Sequence, residues 1–438
     1  MAVRPFLLGI CASTLALAAS IPPQPTFYKN VLPVMQTRCQ ECHRPGEAAP
    51  MSLLTYKDAR PWAKAIREAV ITRKMPPWPA DPHFGKFSND RSLSREEIDT
   101  LVAWADNGAQ EGDPADAPKP AQFADGWGIH HPDAVFEMPN DFAVPASGTV
   151  DYQYIVIPSG FTEDKWVQEY EARPGNRQLV HHIIAFVRPP GSKWLKDAQP
   201  GVPFVQAKED RQRRKQRRKD EDSGPPPELL VGFAPGLPPG ALRPGQAKLI
   251  KAGSDFVFQM HYTANGKAGV DRSRIGVVFA KEPPKERVYT AAATNDKFEI
   301  PAGDANYEVE SDVTFQEPAL LVDLMPHMHL RGKDFLYTAF YPTGESEVLL
   351  RVPKYDFSWQ LFYYLTDQKL LPAGTRVHCV AHFDNSPNNP ANPDATQAVR
   401  WGDQSWEEMM IGWFDVAMAP DKDPMDLFQE KKHGKGAD

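Results

Sequence analysis

The sequence predicts a multidomain chain, a small all-α module at the N-terminus followed by two all-β sandwich domains. Three observations carry this. The chain has 438 residues, too many for one ordinary core at roughly 100–200 residues per domain. Apolar residues recur at helical spacing before residue 112, where Ser94 and Glu97 also form a capping-box pattern. From Val150 onward the pattern changes to short runs rich in β-branched and aromatic residues, such as DYQYIVI, LVHHIIAFV and SDFVFQMHYTA, broken by Pro, Gly, Asn and Asp. The 44 prolines suit turn-rich β architecture better than helical bundles, because proline lacks an N–H and fixes φ.

With 41% hydrophobic and 24% charged residues the chain has ample core material and a soluble character, and a membrane-embedded body is not expected. Its net charge of -8 is mild and forms no basic face, which argues against a nucleic-acid partner.

Residues 1–20 contain one early arginine, an apolar run too short for a confident span, and small residues where a peptidase would cut. They read as a cleaved signal peptide, with an uncleaved anchor as the alternative, and place the mature chain in the periplasm or outside the cell with no transmembrane region. Cys11 lies in the apolar run, but LGIC has Ile where a lipoprotein signal carries a small residue. Cleavage leaves Cys39, Cys42 and Cys379, an odd and disulfide-poor set for an oxidising compartment.

In residues 25–112, TRCQECHRP places Cys39 and Cys42 two residues apart with His43 next, the spacing for covalent haem c attachment. A thioredoxin-like pair does not need His43, and half a zinc site lacks a second Cys/His pair nearby. Met75, in RKMPPWP, is the preferred sixth ligand and Met51 the alternative. Trp62, Ile66, Ala69 and Val70 outline one helix, and Ile98, Leu101, Val102 and Ala105 another. The module resembles the small class I cytochrome c domains, and that resemblance carries over to Cys39, Cys42, His43 and Met75. Residues 113–145, rich in proline, alanine and acid at their start, read as a linker.

Residues 146–288 and 289–425 are the expected sandwiches, with a polar tail at 426–438. Of twelve histidines, five fall in apolar strand runs: His181 and His182, His261, and His327 with His329. Burying so many imidazoles without partners is costly, so the HH, H, HxH series points to metal. His327 and His329 project from the same strand face, whereas the adjacent His181 and His182 need a twist, bulge or strand end to act together. Imidazoles alone do not separate copper from zinc.

The order of VHHIIAF, FQMHYTANGK, MPHMHLRGK and DQSWEEMMIGWF resembles the copper type II, ascorbate-dependent monooxygenases, the family of peptidylglycine α-hydroxylating and dopamine β-monooxygenases. The resemblance spans roughly residues 150–420. It implies two jelly-roll sandwiches facing across a solvent-filled cleft and two copper ions. His181, His182 and His261 would hold the first, with Gln259 beside it, and His327, His329 and Met409 the second, where the thioether favours Cu(I) and reaction with oxygen. The implied activity is monooxygenation: O2 is activated at the His327/His329/Met409 copper, a C–H bond of a small-molecule substrate is hydroxylated, and the all-histidine copper delivers an electron. The reductant would be soluble and ascorbate-like or a redox partner, and the haem module suggests delivery in cis.

Departures from the peptide-amidating members are specific. Met325 stands where they use an arginine for the peptide carboxylate, and Ile411 and Trp413 replace an asparagine and a tyrosine, so a different substrate is expected. Cys379 has no partner where one is sought, at Met410. A non-catalytic electron-transfer or copper-handling protein is the alternative reading. The stretch from Lys208 to Asp222 reads as a solvated loop or a docking patch, and His378 and His382 read as strand residues or, with Cys379, as a third metal site. His83, His130, His131 and His433 read as surface residues, and Trp401, Trp406 and Trp413 as core or cleft residues.

Overall fold

The computed structural model describes residues 24–47, 49–123, 126–205, 228–234 and 237–428. The signal-peptide reading, the Lys208–Asp222 stretch and His433 lie outside them. The chain divides into two compact units, one of Met1–Glu41, Met51–Pro76 and Ser92–Ala121, the other of Cys42–Pro50, Pro77–Arg91 and Gln122–Asp438. No helix among the described residues is long and apolar enough to cross a membrane.

The first unit is helical. Its α1 (Leu32–Arg38) carries Pro33 at its second position and continues a π-helical turn over Phe27–Val31. Two short elements follow, α2 (Tyr56–Ala59) and α3 (Ala63–Ile71). The last helix, α4 (Arg95–Asp106), opens with the expected capping box, in which the Glu97 N–H donates to Ser94 Oγ at 3.1 Å and the Ser94 N–H to Glu97 Oε2 at 2.7 Å. Inward faces of these elements meet around Phe27, Met35, Ile66, Val70, Leu101 and Trp104. Trp62 corrects the expected helix face: it precedes α3 in a 3-10 turn and is 42% exposed, and Ala63 takes the inward position.

The second unit is built of β-sheets. Its first half contains β1 (Ala134–Glu137), β2 (Phe142–Val144), β3 (Gln153–Pro158), β4 (Lys165–Arg173), β5 (Val180–Arg188), β6 (Glu228–Phe233), β7 (Gly240–Ala241), β8 (Gln246–Ile250), β9 (Asp255–Tyr262), β10 (Gly269–Asp271) and β11 (Arg274–Phe279). Its second half contains β12 (Glu286–Asn295), β13 (Glu299–Ile300), β14 (Tyr307–Thr314), β15 (Ala319–His327), β16 (Gly332–Phe340), β17 (Ser346–Val352), β18 (Tyr363–Leu371), β19 (Arg376–Phe383), β20 (Val399–Arg400) and β21 (Met410–Met418).

Each half is a sandwich. The sheet β3-β9-β5-β6 packs on β1-β11-β4-β8 over Ile183, Phe256, Phe258, Met260 and Val277, and β14-β19-β16-β17 packs on β12-β21-β15-β18 over Phe335, Tyr337, Phe383 and Phe414. Alternation is plain in β9, where Phe256, Phe258, Met260 and Tyr262 enter the core while Gln259 and His261 take the other face. Two segments fall differently from the sequence expectation. Strands β1 and β2 lie in the stretch read as a linker, and residues 77–91 run along the second sandwich, where the Asp81 N–H donates to the Arg351 carbonyl at 2.8 Å and Trp78 packs 4.9 Å from Tyr363.

The sandwiches share a sheet. Strand β8 pairs in parallel with β12, joining the two inner sheets into one of nine strands. At this junction the buried Lys248 ammonium donates to Thr290 Oγ1 at 2.7 Å and the Leu229 carbonyl at 3.2 Å, and lies 3.1 Å from Asp415 Oδ2. Gln246 and Gln368 exchange a pair of amide hydrogen bonds beside it.

Strand alternation also settles Cys379. Its thiol is buried and points inward, where a Cβ on Gly412 would come within 2.6 Å of it. His378 and His382 take the opposite face, with His378 Nδ1 2.9 Å from Asp312 and His382 Nδ1 2.8 Å from Asp334. A joint Cys/His metal site is thereby ruled out.

Candidate metal centre

The two histidine groups lie on the outer faces of the sheets, away from each sandwich core. On β5 the pairing with β9 slips between Val180 and His182, so Val180 opposes Tyr262 and His182 opposes His261, with His181 the extra residue. This bulge supplies what the adjacent pair needs, because it turns both rings toward His261. The rings of His181 and His182 each lie 4.9 Å from that of His261, and one nitrogen from each of the three falls within 4.8 Å of the others. His181 Nδ1 and His182 Nδ1 are 3.3 Å apart. His261 Nδ1 is buried and has no hydrogen-bond partner among the described residues, an arrangement that costs free energy unless an ion takes the lone pair. Three imidazoles converging with one orphaned nitrogen fit a bound metal.

Around this pocket, Tyr152 packs its ring 4.7 Å from His261 and 5.4 Å from His182. Gln259 stands two residues before His261 on the same face, its amide donating to Tyr154 Oη at 2.7 Å.

The second group stands at the end of β15. His327 is the last residue of the strand and opposes Ile411, where the pairing ends; Met409, half-buried, lies just before β21. His327 Nδ1 lies 2.9 Å from Gln360 Oε1, and His329 Nδ1 3.1 Å from the Glu407 carbonyl. Both acceptors are oxygens, so each Nδ1 carries the proton and each Nε2 is left as a lone-pair donor. Glu408, buried next to Met409, accepts the N–H groups of His329 at 2.9 Å and Arg331 at 2.6 Å, which ties the HxH segment to the methionine segment.

Electrostatics keep these imidazoles neutral. Burial holds His261 down at about 3 and His327 at about 4, pushes His182 and His329 well below the usual histidine range, and lowers His181. Neutral imidazole is the metal-binding form, so the set is ready to ligate at ordinary pH. Burial also raises Glu408 to about 8 against the pull of its N–H donors.

A single ring joins the two groups. Phe357, from the loop between β17 and β18, stacks on His181 with centroids 5.3 Å apart and meets His329 edge-on at 5.8 Å. The solvent-filled gap expected between the pockets is therefore bridged here by an aromatic side chain.

The cytochrome-like residues are placed as follows. Cys39 caps α1 and packs against the helical core, and Cys42 and His43 follow in a half-buried turn. Met75 follows α3 and donates its N–H to the Ala69 carbonyl at 3.2 Å, and both Met75 and Met51 are half-buried. His83 and His130 lie at the surface against Asp81 and Glu169.

Comparison with known proteins adds little. No protein-family profile and no curated protein matches the chain. Slight likenesses exist among solved structures. One is to infectious bursal disease virus, Gx strain, at 9% identity and TM-score 0.16 over 69% of this chain and 77% of that one. Another is to PBCV-1 VP54, at 9% identity and TM-score 0.21 over 64% of this chain and 99% of that one.

Sequence reasoning missed Tyr152, Phe357, Gln360 and Glu408. Glu408 sits beside a quoted ligand in EEMM, but the other three come from segments with no metal-ligand spacing, and only folding brings them to the histidines.

Proposed function

We propose that this protein is an exported, haem-linked dicopper monooxygenase acting on a small substrate. Two jelly-roll sandwiches would carry the copper pockets, and the helical unit would be a cytochrome c domain with haem on Cys39, Cys42 and His43 and Met75 as sixth ligand. The observation that carries the reading is the pair of preformed ligand sets, three converging imidazoles with an orphaned nitrogen and two more with their Nδ1 protons already committed. Copper, when bound, supplies one-electron redox chemistry and a place for oxygen to react. The chain's part is to present neutral nitrogens and hold the second pair in one tautomer, with Met409 as the proposed third ligand there.

Monooxygenation places one oxygen atom in the substrate C–H bond and sends the other to water, which requires two electrons and two protons from outside. Electron delivery from the haem in cis to the His181/His182/His261 pocket is part of this proposal. If protein with intact haem still required ascorbate and its haem never reoxidised during turnover, that route would be lost.

A second reading has its own support, since Phe357 occupies the line between the pockets as it would in a protein that only passes electrons or handles copper. Protein matured in an export-competent host with a haem-attachment system decides between them. Two coppers and one haem per chain are expected, with one copper lost in His261→Ala and the other in His327→Ala. Oxygen uptake that rises with a C–H substrate identifies the enzyme, and full loading with no uptake over a substrate panel identifies the electron carrier. A preparation that takes up no copper sinks both.

A further inference from the structure

We infer that Phe357 is a positioning residue that sets the spacing of the two metal pockets and seals the gap between them. The inference rests on the dicopper reading above. The loop carrying Phe357 is fastened to the second histidine pair on both sides of that residue. Upstream, Tyr355 Oη accepts the Met328 N–H at 3.1 Å and donates to the Met328 carbonyl at 2.8 Å, gripping the residue between His327 and His329. Downstream, Gln360 holds His327 Nδ1 at 2.9 Å. Phe357 lies between these anchors, so its backbone has little freedom to follow a moving partner.

Its ring then reaches out of the second sandwich to the first. Against His181 it lies nearly parallel, at 18°, and against His329 nearly perpendicular, at 81°. Both arrangements are favoured ones for aromatic rings, and both fix the orientation of an imidazole as well as its distance. His181 needs such a support, because it is the unpaired residue of the bulge and has no opposing residue on β9 to hold it. The apolar ring also denies water the space between the pockets, so the two ligand sets face each other through a side chain. Tyr355, Phe357 and Gln360 thus form one short device that touches three of the five histidines and belongs to neither ligand set.

The test uses the full chain, loaded with Cu(II), with metal per chain counted independently and electron paramagnetic resonance as the readout. Two Cu(II) ions close to one another broaden each other's signals and give a half-field transition, which weakens steeply as they separate. His261→Ala, with one pocket removed, supplies the blank. We expect wild type to show the transition, Phe357→Ala to keep two coppers while losing the transition several-fold, and Phe357→Tyr to restore it. Phe357→Leu covers the case in which the alanine variant does not fold. Two coppers with the same half-field intensity in wild type, alanine and leucine variants would overturn the inference, as would two coppers in wild type with no transition. Fewer than two coppers in wild type overturns the dicopper reading itself, and the metal count tells that failure apart.

Discussion

At the scale of single residues, the protein invests in imidazoles that stay uncharged, and this has a cost that varies with pH. In the unfolded chain each histidine takes up a proton near the usual value of about 6.5. In the folded apo-protein His327 waits until about 4 and His261 until about 3. Between those limits the unfolded state binds more protons, so stability rises with pH there and falls as pH drops from about 6.5 toward 4 and 3. Glu408 works in the opposite sense, because its folded value of about 8 makes the native state the proton binder from the ordinary carboxylate range up to 8. With five lowered imidazoles against three raised carboxyls, Glu228, Asp323 and Glu408, thermal unfolding of metal-free protein should show a melting temperature that declines from neutral pH to pH 4. A flat profile would mean that the histidines are not buried in solution.

Gln360 offers a second residue-scale check. Gln360→Leu removes the acceptor that fixes the His327 tautomer and, on the proposed dicopper reading, should weaken copper binding at the second pocket by about 10- to 100-fold, leaving the first unchanged. Competition titration against a chelator reads both. Residue type and spacing singled out His181, His182, His261, His327 and His329 as candidate ligands in the sequence. Their supports were not, since a Phe and a Gln in a loop look like any others until a fold places them.

At the scale of elements, the short apolar runs announced strands and the capping box announced α4, because these signals are local. Ser94→Ala should cost the helical unit about 1 kcal/mol through loss of the Glu97 N–H acceptor, seen as a lower denaturation midpoint. The bulge at His181 was legible only as a requirement: adjacent histidines could not share a regular strand face, and the structure meets that need by slipping the β5–β9 register. The strand membership of β1 and β2, and the packing of residues 77–91 on the second sandwich, were not legible, since their partners lie far away in sequence. Core packing gives another element-scale test. Gly412→Ala would drive a Cβ to 2.6 Å from Cys379 Sγ and close to Tyr337, costing about 1–3 kcal/mol by overpacking. Adding Cys379→Ala to that variant should recover much of the loss in chemical denaturation.

At the scale of the whole β unit, a buried cation ties the two sandwiches together. Lys248 belongs to β8, and its partners Thr290 and Asp415 belong to β12 and β21. Lys248→Ala leaves Asp415 buried without its cation and should cost about 3–5 kcal/mol, whereas Lys248→Met with Asp415→Leu should cost much less. Calorimetry on the two variants measures the difference. No feature of the sequence singled out Lys248, because a lysine in QAKLI reads as an exposed strand position until the neighbouring sheet closes over it.

The parallel pairing of β8 with β12 has a further consequence. Separating the halves between Ile250 and Glu286 would leave an open backbone edge at β8 on one fragment and at β12 on the other. The halves would be obliged to fold and melt together, and neither could be exchanged for a related module unless the incoming piece brought a matching border. Any change in the distance between the two histidine groups would strain this short ladder, so motion in loops and side chains would come more easily.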